Sequence, residues 1–159
     1  AHVLRVACEQ AVAWDASAAT AGLTVAVNLS ARQLADPGLL DVAASTLRST
    51  GLDPGRLCLE VTESALSRDP DGAAAALSAL KRLGVQLAID DFGTGYATLD
   101  YVRRFSMADE LKIDRSFVAG LGDLHSPDAA IVSASIVLAD ALGFATVACA
   151  SPSSRTNCA

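Results

Sequence analysis

Residues 85–102 read VQLAIDDFGTGYATLDYV. The run 85–89 has the apolar texture of a buried strand, and it ends in two adjacent carboxylates, Asp90 and Asp91. Gly93, Thr94 and Gly95 follow as a glycine-spaced loop. Two neighbouring carboxylates resist ionising together unless a cation offsets their repulsion. Side chains alternate faces along a strand. Val85, Leu87 and Ile89 therefore share one face, and Gln86, Ala88 and Asp90 the other.

Three more stretches carry the same pattern. LTVAVNLS (23–30) sets Val25, Val27 and Leu29 against Thr24, Ala26 and Asn28. RLCLEVTES (56–64) sets Leu57, Leu59 and Val61 against Cys58, Glu60 and Thr62. DELKIDRS (109–116) sets Leu111 and Ile113 against Glu110, Lys112 and Asp114. A fifth strand is expected in FATVAC, 144–149. Between the strands lie alanine- and leucine-rich stretches with helical spacing, 3–19, 39–49, 72–83 and 128–142. Gly51, Gly84 and Gly143 stand where helix C-caps are expected. Asp53-Pro54-Gly55 signals a turn.

Helix–strand alternation of this kind predicts an α/β fold of parallel strands joined by helical crossovers. A closed eight-stranded β/α barrel needs about 250 residues. Five strands in 159 residues imply a portion of such a barrel or a small open sheet.

Hydrophobic residues make up 52% of the chain and mean hydropathy is +0.37, which excludes general disorder. The longest apolar run is broken by Ser133, Ser135, Asp140 and Gly143, so no membrane segment is expected. The first residues, AHVLRVACEQAVAW, lack the pattern of a signal peptide, and a cytoplasmic domain is the default expectation. Cys8, Cys58, Cys149 and Cys158 form no C-x-x-C pair. Cys8 and Cys58 are expected as small buried hydrophobes. A net charge of −6 argues against a nucleic-acid partner, which needs a basic face. Attraction of an anionic ligand would then fall to a bound cation.

The polar faces supply that cation's ligands. Asn28, Glu60 and Asp90, with Asp91 adjacent, lie toward the C-terminal ends of their strands, where β/α folds place their sites. Their donors are hard oxygens, suited to Mg²⁺ or Mn²⁺ rather than zinc. Such an ion clamps a phosphoryl oxygen and lowers the pKa of a bound water. Lys112 is then a nearby cation for water or phosphate, or an ion-pair partner for Asp90 or Asp114. Glu63 either braces the turn after Asp91 or is a surface N-cap. Parity alone leaves open a set of solvated strand ends. His2 and His125 sit in no motif, and Trp14, Tyr96 and Phe117 read as packing groups.

NLSARQL (28–34), LEVTES (59–64), IDDFGTGYATLDYVRRF (89–105) and LKIDRSFV (111–118) resemble, in order and spacing, the EAL-domain phosphodiesterases. That family hydrolyses cyclic di-GMP to linear pGpG on a modified β/α barrel. The resemblance implies an incomplete EAL-type (modified TIM) barrel over residues 1–148, and Asn28, Glu60, Asp90 and Asp91 as Mg²⁺ or Mn²⁺ ligands. It also implies Lys112 as the residue that positions the hydrolytic water, with Asp114 beside it. Glu63 is similar to the family's glutamate that anchors the DFGTG loop, a loop also implicated in homodimerisation.

The sequence departs from the family at both ends. The Glu-Ala-Leu motif, with its metal-ligating glutamate and nearby arginine, has no counterpart here. After ATV the family has Ala-Glu-Gly-Val-Glu, whereas residues 145–159 read ATVACASPSSRTNCA and put Cys149 where a site glutamate belongs. Residues 149–159 are expected to form a poorly ordered tail. The departures imply that the isolated chain does not turn over. The other readings they permit are a module that binds metal or nucleotide without turnover, and one that binds a partner protein or a second copy through uncovered sheet edges.

Overall fold

Alternating apolar and polar residues form five strands, β1 Val25–Leu29, β2 Leu57–Thr62, β3 Gln86–Phe92, β4 Glu110–Ile113 and β5 Ala145–Ala148. The computed structural model describes residues 2–94, 103–119, 121 and 126–148. The strands pair in parallel in the order β1-β2-β3-β4-β5. A doubly wound open sheet would reverse its strand order at a switch point. Here each crossover moves one strand onward in the same direction, as in the wall of a β/α barrel. The α/β class with five parallel strands is as the sequence implies. His125, Gly95, Tyr96, Cys158 and the whole expected tail from Cys149 lie outside the described residues.

Helix α1 His2–Ala13 precedes β1, and the described crossovers use three longer helices, α3 Leu39–Thr50, α5 Pro70–Lys81 and α7 Pro127–Leu142. Single-turn helices α2 Ala31–Leu34, α4 Glu63–Leu66 and α6 Arg115–Ala119 follow β1, β2 and β4 directly. Their starts are written in polar side chains. Ser30 and Gln33 make a reciprocal capping box for α2, and the Thr62 hydroxyl accepts from Ala65 N to cap α4. Gly51 and Gly143 end α3 and α7 in the left-handed conformation, as expected. Gly84 differs. The C-cap of α5 is Arg82, and Gly84 lies two residues further on, in the turn before β3.

Helix α1 stops at Ala13 instead of running to residue 19. Polar side chains in the following 3₁₀ turn, Trp14–Ala16, and beyond it offer the backbone other partners. Thr20 Oγ1 donates to the Trp14 carbonyl at 2.7 Å, and Asp15 accepts from Gly22 N at 3.2 Å. Arg56 then ties this corner to β2. Its guanidinium donates to the carbonyls of Leu23 and Ala11, each at 3.1 Å, and to Asp15 at 2.7 Å. Arg56→Ala should lower stability by about 2 kcal/mol, because two of those acceptors are backbone groups with a charged donor. Arg56→Lys should restore only part of the loss, since an ammonium cannot reproduce the planar fork. Urea unfolding of the three proteins checks the order.

The apolar faces form the core. Leu57, Leu59, Val61, Leu87, Ile89, Leu111 and Ile113 are buried, and all but Ile113 join one cluster with Leu4 and Cys8 of α1, Leu47 of α3, and Leu77 and Leu80 of α5. Cys8 and Cys58 are buried free thiols, the role expected for them. Burial, followed by the charges of Glu110 and Glu60, pushes the Cys58 thiol up to about 12, so it stays protonated and inert. Lys81 Nζ reaches both Asp109 carboxylate oxygens at 2.6 Å, and Leu87 N donates to the same group at 2.8 Å. This fixes the end of α5 against the start of β4. Among the described residues no helix is long and apolar enough to cross a membrane.

Candidate active site

Register places the polar residues of β1 to β4 at one mouth of the sheet. Asn28 stands opposite Glu60, Glu60 opposite Ala88, and Thr62 opposite Asp90. Asn28 and Glu60 are thus immediate neighbours, with Asp90 one pleat further along. Lys112 rises between the two carboxylates. Its Nζ lies 2.8 Å from Glu60 Oε1 and 3.4 Å from Asp90 Oδ2. The side chains of Lys112, Glu60 and Asp90 are only 15%, 10% and 18% exposed. The sequence alternatives for Lys112 included a pair with Asp90 or Asp114. Glu60 is the shorter contact, across the two strand intervals between β2 and β4.

Asp91 breaks the alternation. Its φ of 56° is left-handed, and the β3–β4 register shifts between Ile89 and Phe92. The bulge lets β3 carry two consecutive carboxylates without burying either against the core. Asp91 N donates to Asp90 Oδ1 at 3.0 Å. Burial, then the charges of Asp90 and Asp114, raises the Asp91 pKa above the ordinary carboxylate range. A raised carboxyl pKa penalises the folded state when the group is ionised, and the penalty fades as pH falls through that pKa. Asp91→Asn, which keeps a residue tolerant of this backbone, should therefore melt above the parent in EDTA at neutral pH. The gain should stay below about 1 kcal/mol, given solvent screening, and close in acid. Paired thermal melts across pH check this.

Asp114 follows β4, and its carboxylate accepts from Ser116 N at 2.8 Å and from the Ser116 hydroxyl. These bonds hold its pKa low and close the first turn of α6. Glu63 is buried, 1% exposed, as the first residue of α4. The surface N-cap alternative therefore fails, because Thr62 is the cap. Glu63 Oε2 instead accepts from Gly93 N at 3.2 Å. Gly93 has a φ of +97°, and a Cβ there would sit 2.9 Å from Phe117 Cε2. In the sequence Gly93-Thr94-Gly95 shows only as a glycine-spaced loop, and this requirement is not visible there. Only the combination of a left-handed backbone with the Phe117 ring makes glycine necessary.

Asn28, Glu60, Asp90 and Asp91 offer only oxygen donors and an excess of negative charge over Lys112, which suits a hard divalent cation. Among the described residues no three His, Cys, Asp or Glu side chains converge as a ready metal cluster. The charge at Glu60 and Asp90 is met by Lys112. A cleft of about 430 Å³ beside α2, α4 and the start of α5 shares none of these residues.

The fold is shared with known proteins. The bifunctional diguanylate cyclase/cyclic di-GMP phosphodiesterase MucR of Pseudomonas aeruginosa is 46% identical over 146 residues, 92% of this chain and 21% of MucR. The structure of its phosphodiesterase in complex with c-di-GMP superposes with a TM-score of 0.84, over 92% of this chain and 62% of that one. The EAL domain of Mycobacterium smegmatis DcpA gives 0.82 at 42% identity, over 92% and 65%. Klebsiella pneumoniae BlrP1, solved with manganese and cyclic di-GMP, gives 0.75 at 29% identity, over 92% and 37%. A calcium complex of BlrP1 matches as well, so relatives of this fold take divalent metals. The chain spans about a fifth of MucR and less than two thirds of each of these solved chains. The family model of the EAL domain matches residues 1–149, and the chain belongs to the EAL domain family.

Proposed function

We propose that the cluster at the sheet mouth is the hydrolytic centre of a metal-dependent cyclic di-GMP phosphodiesterase that acts in the cytoplasm. The observation that carries this reading is the Glu60–Lys112–Asp90 group, shielded from water at the C-terminal ends of parallel strands. Asn28, Glu60, Asp90 and Asp91 would hold Mg²⁺ or Mn²⁺, which supplies polarisation of a phosphoryl oxygen and a more acidic water. The Lys112 ammonium orients the attacking water, and Asp114 holds the segment after β4 through its bonds to Ser116. Glu63 fixes the loop after Asp91 through Gly93 N. Attack on one phosphorus breaks one ester bond and opens the ring to linear pGpG.

A second reading has its own support. Cys149 stands where the family has a glutamate, and removing one ligand from such a site costs orders of magnitude in rate. In this reading the isolated chain binds metal and nucleotide without turnover, or self-associates as a homodimer through the edge strands of the described sheet. Incubation with cyclic di-GMP and Mn²⁺, followed by chromatography, separates the readings. Linear product that vanishes in Asp90→Ala supports hydrolysis by this chain. Nucleotide retained in equilibrium dialysis without product supports the binding module. A mass that grows with concentration, with no ligand bound, supports self-association.

A further inference from the structure

Lys112 stands between two oxygens that the metal reading assigns to a cation. Its ammonium contacts Glu60 Oε1 at 2.8 Å and Asp90 Oδ2 at 3.4 Å. Glu110 on the same face of β4, and Asp91 beyond Asp90, add negative charge around it. Negative charge so shielded from water is costly unless an opposite charge lies beside it, and here Lys112 provides one. A divalent cation drawn to Glu60 and Asp90 would put its charge directly beside the ammonium. Like charges in a low-dielectric pocket repel strongly, so both cannot hold this oxygen pair.

We propose that Lys112 is a built-in counter-ion that holds the cation's place, and that metal binding expels its ammonium from Glu60 and Asp90. The inference rests on the metal reading above and goes beyond it. The four-carbon stem of lysine can swing its charge without moving the strand. The carboxylates then stay organised without metal, and metal affinity is set by competition with a side chain. The displaced ammonium becomes available to water or phosphate only once the metal is in place, so the order of assembly is built into the site.

The test uses the whole chain and Mn²⁺ alone. Lys112→Met keeps the stem and removes the charge. It should melt several degrees lower in EDTA, since two shielded carboxylates lose their partner. It should also bind Mn²⁺ about tenfold more tightly, because no ammonium competes, as read from the electron paramagnetic resonance signal of free Mn²⁺. Glu60→Gln/Lys112→Met, which leaves fewer uncompensated charges, should melt above Lys112→Met in EDTA. Absence of that recovery overturns the counter-ion role. Mn²⁺ affinity in Lys112→Met equal to or weaker than in the parent overturns the exchange while the metal reading stands. No Mn²⁺ bound by either protein overturns the metal reading and the exchange with it, even where the recovery in EDTA is seen.

Discussion

Gly93→Ala is expected to destabilise the chain by about 3 kcal/mol, summing a strained backbone and a steric overlap. At φ +97° an alanine is in a conformation that residues with a side chain rarely adopt. Its methyl would also lie 2.9 Å from the Phe117 ring, inside van der Waals contact. Relief by shifting the loop would break the bond from Gly93 N to the buried Glu63 carboxylate, which leaves a shielded acceptor without that donor. The damage therefore reaches the strand that carries Asp90 and Asp91, and Mn²⁺ binding should weaken together with stability. Adding Phe117→Ala opens space and should restore the steric share, leaving the backbone share. Urea unfolding of the parent, the single variants and the double variant gives the coupling. If the second substitution restores nothing, the ring is not the obstacle.

Leu59→Ala should cost about 3–4 kcal/mol, by loss of buried contacts and creation of a cavity. Leu59 is fully buried, and register places it between Val27 and Leu87, themselves buried, in one row across three strands. Because its neighbours are held by strand pairing, they have little freedom to collapse into the gap. A domain of this size has about 5–15 kcal/mol in total, so the variant should unfold at far lower urea with an unchanged slope. Glu60 is the next residue along, facing the site. Comparison of Mn²⁺ binding at low urea, where the variant is still folded, then shows whether the core row positions the site. An unaltered affinity would mean that strand pairing alone suffices.

Much of this was legible because alternation is a strong code. Once Leu57, Leu59 and Val61 are assigned to the core, Glu60 must face the other way, and the same parity brings Asn28, Asp90 and Lys112 to one mouth. What alternation cannot show is where it stops. Asp91 leaves the pattern through a bulge and a positive φ, neither of which has a residue signature in DDF. The pair of Lys112 with Asp90 was among those expected, but its shorter contact was hidden, since Glu60 lies 52 residues away and strand order decides the meeting. Helix α1 was overextended because apolar spacing continues past Ala13, while Asp15, Thr20 and Arg56 redirect the backbone. The single-turn helix α2 was overlooked although Ser30 and Gln33 spell a capping box. A four-residue helix has too little apolar periodicity to register, and its cap was the better signal.

The strand order also bears on how the chain is made. Among the described strands, each from β2 onward pairs with the one synthesised immediately before it, and none takes its first partner from further along the sequence. A chain emerging from the ribosome at about 5–20 residues per second can add one β/α unit at a time to a growing sheet, each unit finding its template already present. The latest strand made always exposes an unpaired edge, so the hazard during synthesis travels along the molecule with the front. Among the described strands that edge ends at β5, whose residues Ala145 to Ala148 are exposed or only half-buried.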